Sequence, residues 1–372
     1  MPSPFCAAAL LLILSVGPGS LSLESPQLPE ALHEPGRDAL TPVWEIPFEE
    51  SAIPWVTSAR DFAIVSSLKG TLVACDPNGT VVWRRSLDTA LSAPPVEAGE
   101  RIAALGDDGQ VRFLDASTGS VTSTAGPFGP RSYLSAVKGG LAVADPAGIV
   151  TLLDPSDGRR VWETRLDEAP SVPVAECGGA MLAGSAQGSL FGLEPETGSV
   201  MWTRAIGESI TTPAGCWRRQ AYVGSADNRI HALKISRRRG NPVWSYTTGG
   251  DLAGRPFTYG GRVYFFSYDT YLYALQADNG HLAWKVRLGR RPRASSVLMG
   301  SLLVVAPLNT ERLETFRLPE GTQGSAWALP AGQGRFVAAP AAAGGRIVAA
   351  AASYGEESAR IIGLAPGTSA SH

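Results

Sequence analysis

This chain of 372 residues has few of the side chains that most often carry chemistry: four histidines, four cysteines, and a net charge of only −2. None of the histidines (His33, His231, His281 and His372) has a partner at metal-ligand spacing, so the sequence predicts no histidine-based metal centre. No two cysteines are adjacent. No amphipathic helical segment of any length occurs outside the N-terminus. Together these absences favour an all-β chain with no evident catalytic constellation.

What the sequence does contain is a repeat of about forty residues. Its clearest element is a turn glycine followed four residues later by tryptophan, as in Gly79–Trp83 and Gly198–Trp202. Ser123 occupies the tryptophan position of one repeat, and Gln323 replaces the glycine of the last. The tryptophans at this position are Trp44, Trp83, Trp162, Trp202, Trp244, Trp284 and Trp327. A fixed period of this length predicts a repeat architecture whose units bury their apolar faces against one another.

Each repeat contains four short apolar runs separated by turns. Segments 62–66, 71–75 and 271–275 are examples, each about five residues long and rich in β-branched or aromatic side chains, which is typical of strands. Four antiparallel strands per forty residues predict an eight-bladed β-propeller over residues 42–364. The regular spacing of the tryptophans favours packing between neighbouring blades over an aromatic cage.

The two ends of the repeat region complement each other. Residues 42–48 form a tryptophan strand with no blade before it, whereas residues 360–364 form a third strand with no tryptophan strand after it. We therefore expect the N-terminal strand to complete the last blade, pairing near Ile361 and Ile362. This closure leaves few unpaired sheet edges.

The blade pattern in residues 188–202 and 271–284 (strand, turn, Gly, then Trp) resembles the quinoprotein-like (PQQ-like) propeller repeat. The family contains large quinone-dependent dehydrogenases and small eight-bladed scaffolds of the BamB type, and this chain is similar in size to the scaffolds. The resemblance implies a non-enzymatic protein-binding scaffold of the cell envelope, without a cofactor. A quinone-dependent oxidoreductase and a ligand-sensing propeller are the alternatives. The dehydrogenase pattern includes a vicinal cysteine pair, which this sequence lacks.

The N-terminus predicts export. The apolar run from Phe5 to Val16 spans twelve residues, enough for a signal-peptide core but too short to cross a bilayer. We expect a signal peptide over 1–20, cleaved or kept as an anchor, then a tether over 21–41 and a loose tail over 365–372. Cys6 lies at the start of the apolar run and not after it, so the lipoprotein pattern is absent. The expected location is periplasmic or extracellular.

Two groups of side chains leave alternatives open. Cys177 and Cys216 fall at nearly the same position of adjacent blades and either pair or stay free, whereas Cys75 is expected to be a small buried side chain. Acidic and amide side chains recur between the second and third strands, where they either shape turns or ring a cation, and turn formation is favoured. They are Asp107, Asp108, Asp145, Asp227, Asp269 and Asn309.

Charge is unevenly distributed along the chain. Residues 201–300 hold 15 basic and 5 acidic groups, whereas residues 21–120 hold 7 basic and 15 acidic groups. This leaves two alternatives open, a solvated surface of mixed use, or a binding surface for an acidic protein partner or an anionic envelope surface, with Trp217 as apolar anchor. Nucleic acid is not expected as a partner of an exported protein, and a monomer is expected. The candidate partner-binding residues are Trp217, Arg218, Arg219, Arg237, Arg238, Arg239, Arg290, Arg291 and Arg293.

Overall fold

The structure, a computed structural model, describes residues 39–50, 53, 55–353 and 358–367, without the side chains of residues 293–295. The expected signal peptide, the tether before residue 39 and the end of the tail lie outside the described residues. Within the described part of the chain, every regular element is a β-strand.

The strands form eight antiparallel sheets, which are the blades of a propeller. Blades 1 to 4 contain, in order, β2 (Trp55–Ala59), β3 (Phe62–Ser66), β4 (Thr71–Cys75), β5 (Val81–Ser86); β6 (Val96–Ala98), β7 (Arg101–Leu105), β8 (Val111–Asp115), β9 (Val121–Ala125); β10 (Tyr133–Val137), β11 (Gly140–Asp145), β12 (Ile149–Leu153), β13 (Arg160–Arg165); β14 (Ala175–Cys177), β15 (Ala180–Gly184), β16 (Ser189–Leu193), β17 (Val200–Ala205).

Blades 5 to 8 contain β18 (Gly215–Trp217), β19 (Gln220–Ser225), β20 (Arg229–Ile235), β21 (Gly240–Thr247); β22 (Leu252–Tyr259), β23 (Arg262–Ser267), β24 (Tyr271–Gln276), β25 (Leu282–Arg287); β26 (Pro292–Met299), β27 (Leu302–Pro307), β28 (Arg312–Arg317), β29 (Thr322–Gln323), β30 (Trp327–Ala328); β31 (Arg335–Phe336), β32 (Ala341–Ala343), β33 (Arg346–Ala352), β34 (Ala359–Pro366), together with β1 (Leu40–Phe48).

The blades close into a ring. Their first strands contact one another in the cyclic order β2, β6, β10, β14, β18, β22, β26, β32 and back to β2. Strand β1 pairs with β34, with Glu45 opposite Ile362 and Ile46 opposite Ile361. The prediction of an all-β, eight-bladed propeller closed by its N-terminal strand is therefore confirmed. The core lies between the blades, because the second and third strands are covered on both faces.

Six of the repeat tryptophans each join a blade to the next one. The indole Nε1 of Trp202 donates to the Ser236 carbonyl at 3.0 Å, and that of Trp284 donates to the Pro319 carbonyl at 2.9 Å. Trp44, Trp83, Trp162 and Trp244 make the same bond to Pro77, Ala116, Pro195 and Ala277. The repeat glycine is needed because a Cβ at Gly198 (φ +72°) would lie 2.4 Å from the Trp162 ring of the preceding blade.

Blade 7 departs from this pattern for a local reason. Its fourth strand is broken into β29 and β30, both of which pair with β28. The glycine that packs on Trp284 is consequently Gly321, where a Cβ would lie 2.4 Å from the indole. Trp327, displaced by the break, is half-buried and lies 5.9 Å from the Phe336 ring of blade 8. Because of this interruption, position 323 does not pack on Trp284 and does not need to be glycine.

Candidate functional site

The turns of each blade alternate between two faces of the ring. The turn between the first and second strands and the turn between the third and fourth lie at one end of the meander, here called the odd-turn face. The turn between the second and third strands and the connection to the next blade lie at the other end, the even-turn face. Two turns of one blade can therefore form a common surface only if both lie on the same face.

Arg218 and Arg219 form a strained turn on the odd-turn face of blade 5. They are the two residues of the hairpin loop between β18 and β19, and both have positive φ, +46° and +66°. The equivalent positions of blades 4, 6 and 8 are Gly-Gly pairs with positive φ. Side chains with a Cβ pay roughly 1–2 kcal/mol to enter this backbone region, so blade 5 carries two arginines where glycine would be more stable.

Trp217 is less exposed than a surface-turn residue would be. It is the last residue of β18, is half-buried, and packs against a core cluster that contains Tyr222. The guanidinium carbon of Arg218 lies 4.4 Å from the centroid of the Trp217 ring. This cation–π contact holds one arginine of the strained turn in place.

The three arginines of residues 237–239 lie on the same face of the same blade, in the turn between β20 and β21. The two turns adjoin, because the Ile235 amide donates to the Arg219 carbonyl at 2.8 Å. Arg237 is paired with Glu194 at 3.1 Å and Glu196 at 3.5 Å in the third turn of blade 4. Since Glu194 shares a hydrogen bond with Glu196, its pKa is raised, whereas that of Glu196 is lowered.

Arg290 and Arg291 lie on the opposite, even-turn face, in the connection from blade 6 to blade 7. An Arg290 Nη donates to the Asn309 carbonyl at 3.1 Å, and the Arg291 carbonyl accepts from the Leu308 amide. The side chain of Arg293 lies outside the described residues. The nine candidate residues thus do not form one surface. Glu314, which the sequence did not single out, accepts from the Gly289 amide, and burial raises its pKa.

Cys177 and Cys216 are joined in a disulfide between the first strands of blades 4 and 5, with their Cα atoms 5.5 Å apart. At other junctions a glutamate spans the same gap: Glu97 accepts from the Arg60 amide and Glu176 from the Lys138 amide. The disulfide therefore replaces a hydrogen bond between blades. Cys75 is buried, which raises the pKa of its thiol to about 12.

The recurrent acidic side chains shape turns, as favoured above. Asp145 accepts from the Gly129 and Ala147 amides, and Asp269 accepts from the Gly249 and Tyr271 amides and from the Tyr273 hydroxyl. Asp227 contacts the His231 ring at 2.8 Å. Among the described residues, no three acidic, histidine or cysteine side chains are grouped so as to hold a metal ion.

Eight antiparallel blades, six of which are joined to the next by an indole that donates to a turn carbonyl, define the quinoprotein-like class of propellers. A family model described as outer membrane protein assembly factor BamB matches residues 37–185, 141–221 and 186–360. These matches cover nearly the whole propeller, and the chain belongs to this family.

Individual relatives match shorter stretches. The outer membrane protein assembly factor BamB of Yersinia pestis is 26% identical over 248 residues, covering 56% of this chain. The chain spans 61% of that relative's length. The tetrathionate hydrolase of Acidithiobacillus ferrooxidans is 28% identical over 137 residues, which are 36% of this chain and 26% of that protein.

Among solved structures, BamB from Moraxella catarrhalis matches with a TM-score of 0.69 at 16% identity, covering 87% of this chain and 100% of that one. This likeness shows the fold. In the described residues of our chain, no helix is long and apolar enough to traverse a membrane.

Proposed function

We propose that this chain is a non-enzymatic scaffold that binds a protein partner during the assembly of outer membrane proteins. The observation that carries the proposal is the family match, which runs through all eight blades from residue 37 to residue 360. The role is the one named in the description of the family and in the name of the Yersinia relative. The scaffold acts on the periplasmic side of the envelope. A disulfide between Cys177 and Cys216 supports an oxidising compartment.

The docking surface in this proposal is the basic hairpin surface, defined as Trp217, Arg218, Arg219, Arg238 and Arg239. Unlike Arg237, its four arginines have no acidic partner among the described residues. Unpaired guanidinium groups beside a half-buried indole favour an acidic partner that also supplies an apolar contact.

The backbone of the turn supports a functional role. Strained conformations persist where function outweighs their cost, and the equivalent turns of blades 4, 6 and 8 show that Gly-Gly is compatible with this hairpin. Replacing Arg218 and Arg219 by glycine removes two charges and relieves the strain. Stability and partner binding should therefore change in opposite directions.

The first test compares the R218G/R219G variant with R290Q/R291Q, which removes two charges from the even-turn face. We expect the glycine variant to gain about 1–2 kcal/mol in free energy of unfolding, and to capture at least tenfold less partner from solubilised envelopes. The control should bind as the parent chain does. Full capture by R218G/R219G would show that the docking surface lies elsewhere.

A second test addresses the scaffold role itself. Depleting the chain from its source cells should lower the amount of folded outer membrane proteins, and cross-linking through position 239 should recover a component of their assembly. Unchanged outer membrane proteins would contradict the proposal. Visible absorbance spectra with added quinone and calcium address the oxidoreductase alternative, for which a bound chromophore is the positive result.

A further inference from the structure

A cavity of about 430 Å³ lies along the inner wall of the ring, where the first strands of blades 5, 6 and 7 meet. Its volume falls in the range of small-molecule sites, which is about 300–1,000 Å³. It is distinct from the basic hairpin surface. The residues that line it are Gly215, Cys216, Arg255, Pro256, Phe257, Thr258, Phe266, Ser296 and Leu298.

Arg255 is the one charged side chain in this lining. In the strand register, its position corresponds to Pro94, Pro173 and Pro213 of blades 2, 4 and 5, each of which lies four residues before the end of the first strand. The repeat therefore places a side chain on the inner wall at this position. Blade 6 places a guanidinium there.

The backbone at Arg255 is irregular. The pairing of β22 with β23 shifts between Ala253 and Phe257, which forms a bulge, and Gly254 within the bulge has φ +74°. The neighbouring blade makes room, because a Cβ at Gly215 would lie 2.1 Å from the Pro256 carbonyl. Both glycines are thus required where the bulge presents Arg255.

The charge of Arg255 is uncompensated. Its Nε donates to the Ala214 carbonyl at 2.9 Å, which fixes the plane of the guanidinium. Within the described residues, neither terminal nitrogen has a hydrogen-bond partner, and no acidic side chain forms an ion pair with the group. Surrounding protein lowers the pKa of the guanidinium by desolvation alone, although more than a third of the residue's surface remains exposed. An arginine stays charged at neutral pH regardless.

The remaining lining limits the kind of anion. Phe257 and Leu298 are partly buried side chains packed on an apolar cluster that includes Phe266. Thr258 and Ser296 add two hydroxyl groups to the wall. A guanidinium fork beside aromatic and aliphatic side chains suits a carboxylate attached to an apolar body better than an inorganic ion.

We propose that this cavity binds a small organic carboxylate with an apolar group, held by the terminal nitrogens of Arg255 and packed against Phe257. The same chemistry is supplied by a free organic acid or by the carboxyl terminus of a peptide that ends in an apolar residue. The site does not depend on docking at the basic hairpin surface, and either proposal stands if the other fails.

Isothermal titration tests the proposal with N-acetyl-Leu-Phe, whose carboxylate is free, and with the same dipeptide as its amide. We expect the parent chain to bind the acid at least tenfold more tightly than the amide. Arg255→Met should lose at least tenfold in affinity for the acid, whereas Arg159→Met, at an exposed position in a turn of blade 3, should bind as the parent does. Equal binding of acid and amide by the parent chain, or an unaltered Arg255→Met variant, would overturn the proposal.

The same titration separates the two sources of carboxylate. A hexapeptide ending in Leu-Phe that binds at least tenfold more tightly than 3-phenylpropionate identifies a peptide terminus as the ligand. Equal affinities identify a free organic acid. Failure of all these probes to bind at millimolar concentration overturns the site in both forms, and this measurement needs no variant that might be unfolded.

Discussion

The outer and inner strands of this propeller differ in how uniform their side chains are from blade to blade. Along the outer strands, six tryptophans make the same bond to a turn carbonyl of the following blade. Along the inner strands, the equivalent position holds a different kind of side chain in different blades: Trp55, Tyr133 and Arg255 in blades 1, 3 and 6, and proline in blades 2, 4 and 5.

The difference follows from packing. An outer indole fills a space closed by two blades, so neither its size nor the glycine opposite it can change at low cost. The inner side chains are less confined, since Trp55 and Tyr133 pack only partly on core clusters and Arg255 is exposed. The outer strands therefore maintain the ring, and the inner strands are free to acquire a binding group such as Arg255.

The sharpest test of this comparison replaces one tryptophan from each ring. Trp202→Ala removes a buried indole between blades 4 and 5 and should lower the free energy of unfolding by about 3–5 kcal/mol. Trp55→Ala removes a half-buried indole of the inner ring and should cost about 1 kcal/mol. Urea denaturation measures both. Equal losses would mean that the inner and outer positions are under the same packing constraint.

Blades 4 and 5 are also joined through their inner strands by the Cys177–Cys216 disulfide. The two cysteines are 39 residues apart, so loop-closure entropy gives about 3–4 kcal/mol of stabilisation. Cys216→Ser should lose up to this amount, and a reducing agent should destabilise the parent chain to the same level without further effect on the variant. A reductant that leaves the parent's unfolding unchanged would show that the bond does not contribute.

The smallest expected effect concerns a turn that presents a docking carbonyl. Asp115 accepts from the hydroxyls of Ser117 and Thr118, which lowers its pKa to about 2, and the adjacent Ala116 carbonyl receives the Trp83 indole. Because the folded-state pKa lies below the ordinary value, the carboxylate stabilises the fold above about pH 4, and this contribution is lost as the pH falls towards 2.

Asp115→Ala should accordingly lower the free energy of unfolding by about 0.5–1 kcal/mol at pH 7, and the gap from the parent chain should close between pH 4 and pH 2. Asp157→Ala is the matched control, since that carboxylate accepts a single turn bond from the Arg159 amide. Thermal unfolding across this pH range measures the gap. If the gap in stability between Asp115→Ala and the parent chain does not depend on pH, the effect comes from the geometry of the turn and not from the charge of the carboxylate.

Much of the fold was predictable because the repeat is local. The spacing of Gly and Trp identifies a turn and a strand within a few residues, and eight copies fix the blade count. The pairing of the strand that contains Trp44 with the strand that contains Ile361 was predictable too. The N-terminal end had a tryptophan strand without a blade, and the C-terminal end had a blade without a tryptophan strand. The break in the last strand of blade 7 was not, because Trp327 keeps nearly the expected spacing while Gly321, and not residue 323, meets Trp284.

The candidate site was predictable only in part. The sequence identified the arginines of blade 5 but not the division of the basic residues between two faces, which depends on which end of a meander each turn occupies. Arg255 gave no signal, because a single arginine in an irregular strand looks like any surface residue until the register places it beside the prolines of other blades.

The sequence by itself determined the class of fold, the number of blades and the side chains that join them, because a short-range pattern repeated eight times specifies contacts between like units. Only the tertiary structure decided which unlike residues meet: Cys177 with Cys216, Arg237 with Glu194, and Arg255 with the apolar wall of the cavity. These contacts each occur once. A contact that occurs once leaves no period in the sequence, and its partners become neighbours only when adjacent blades pack together.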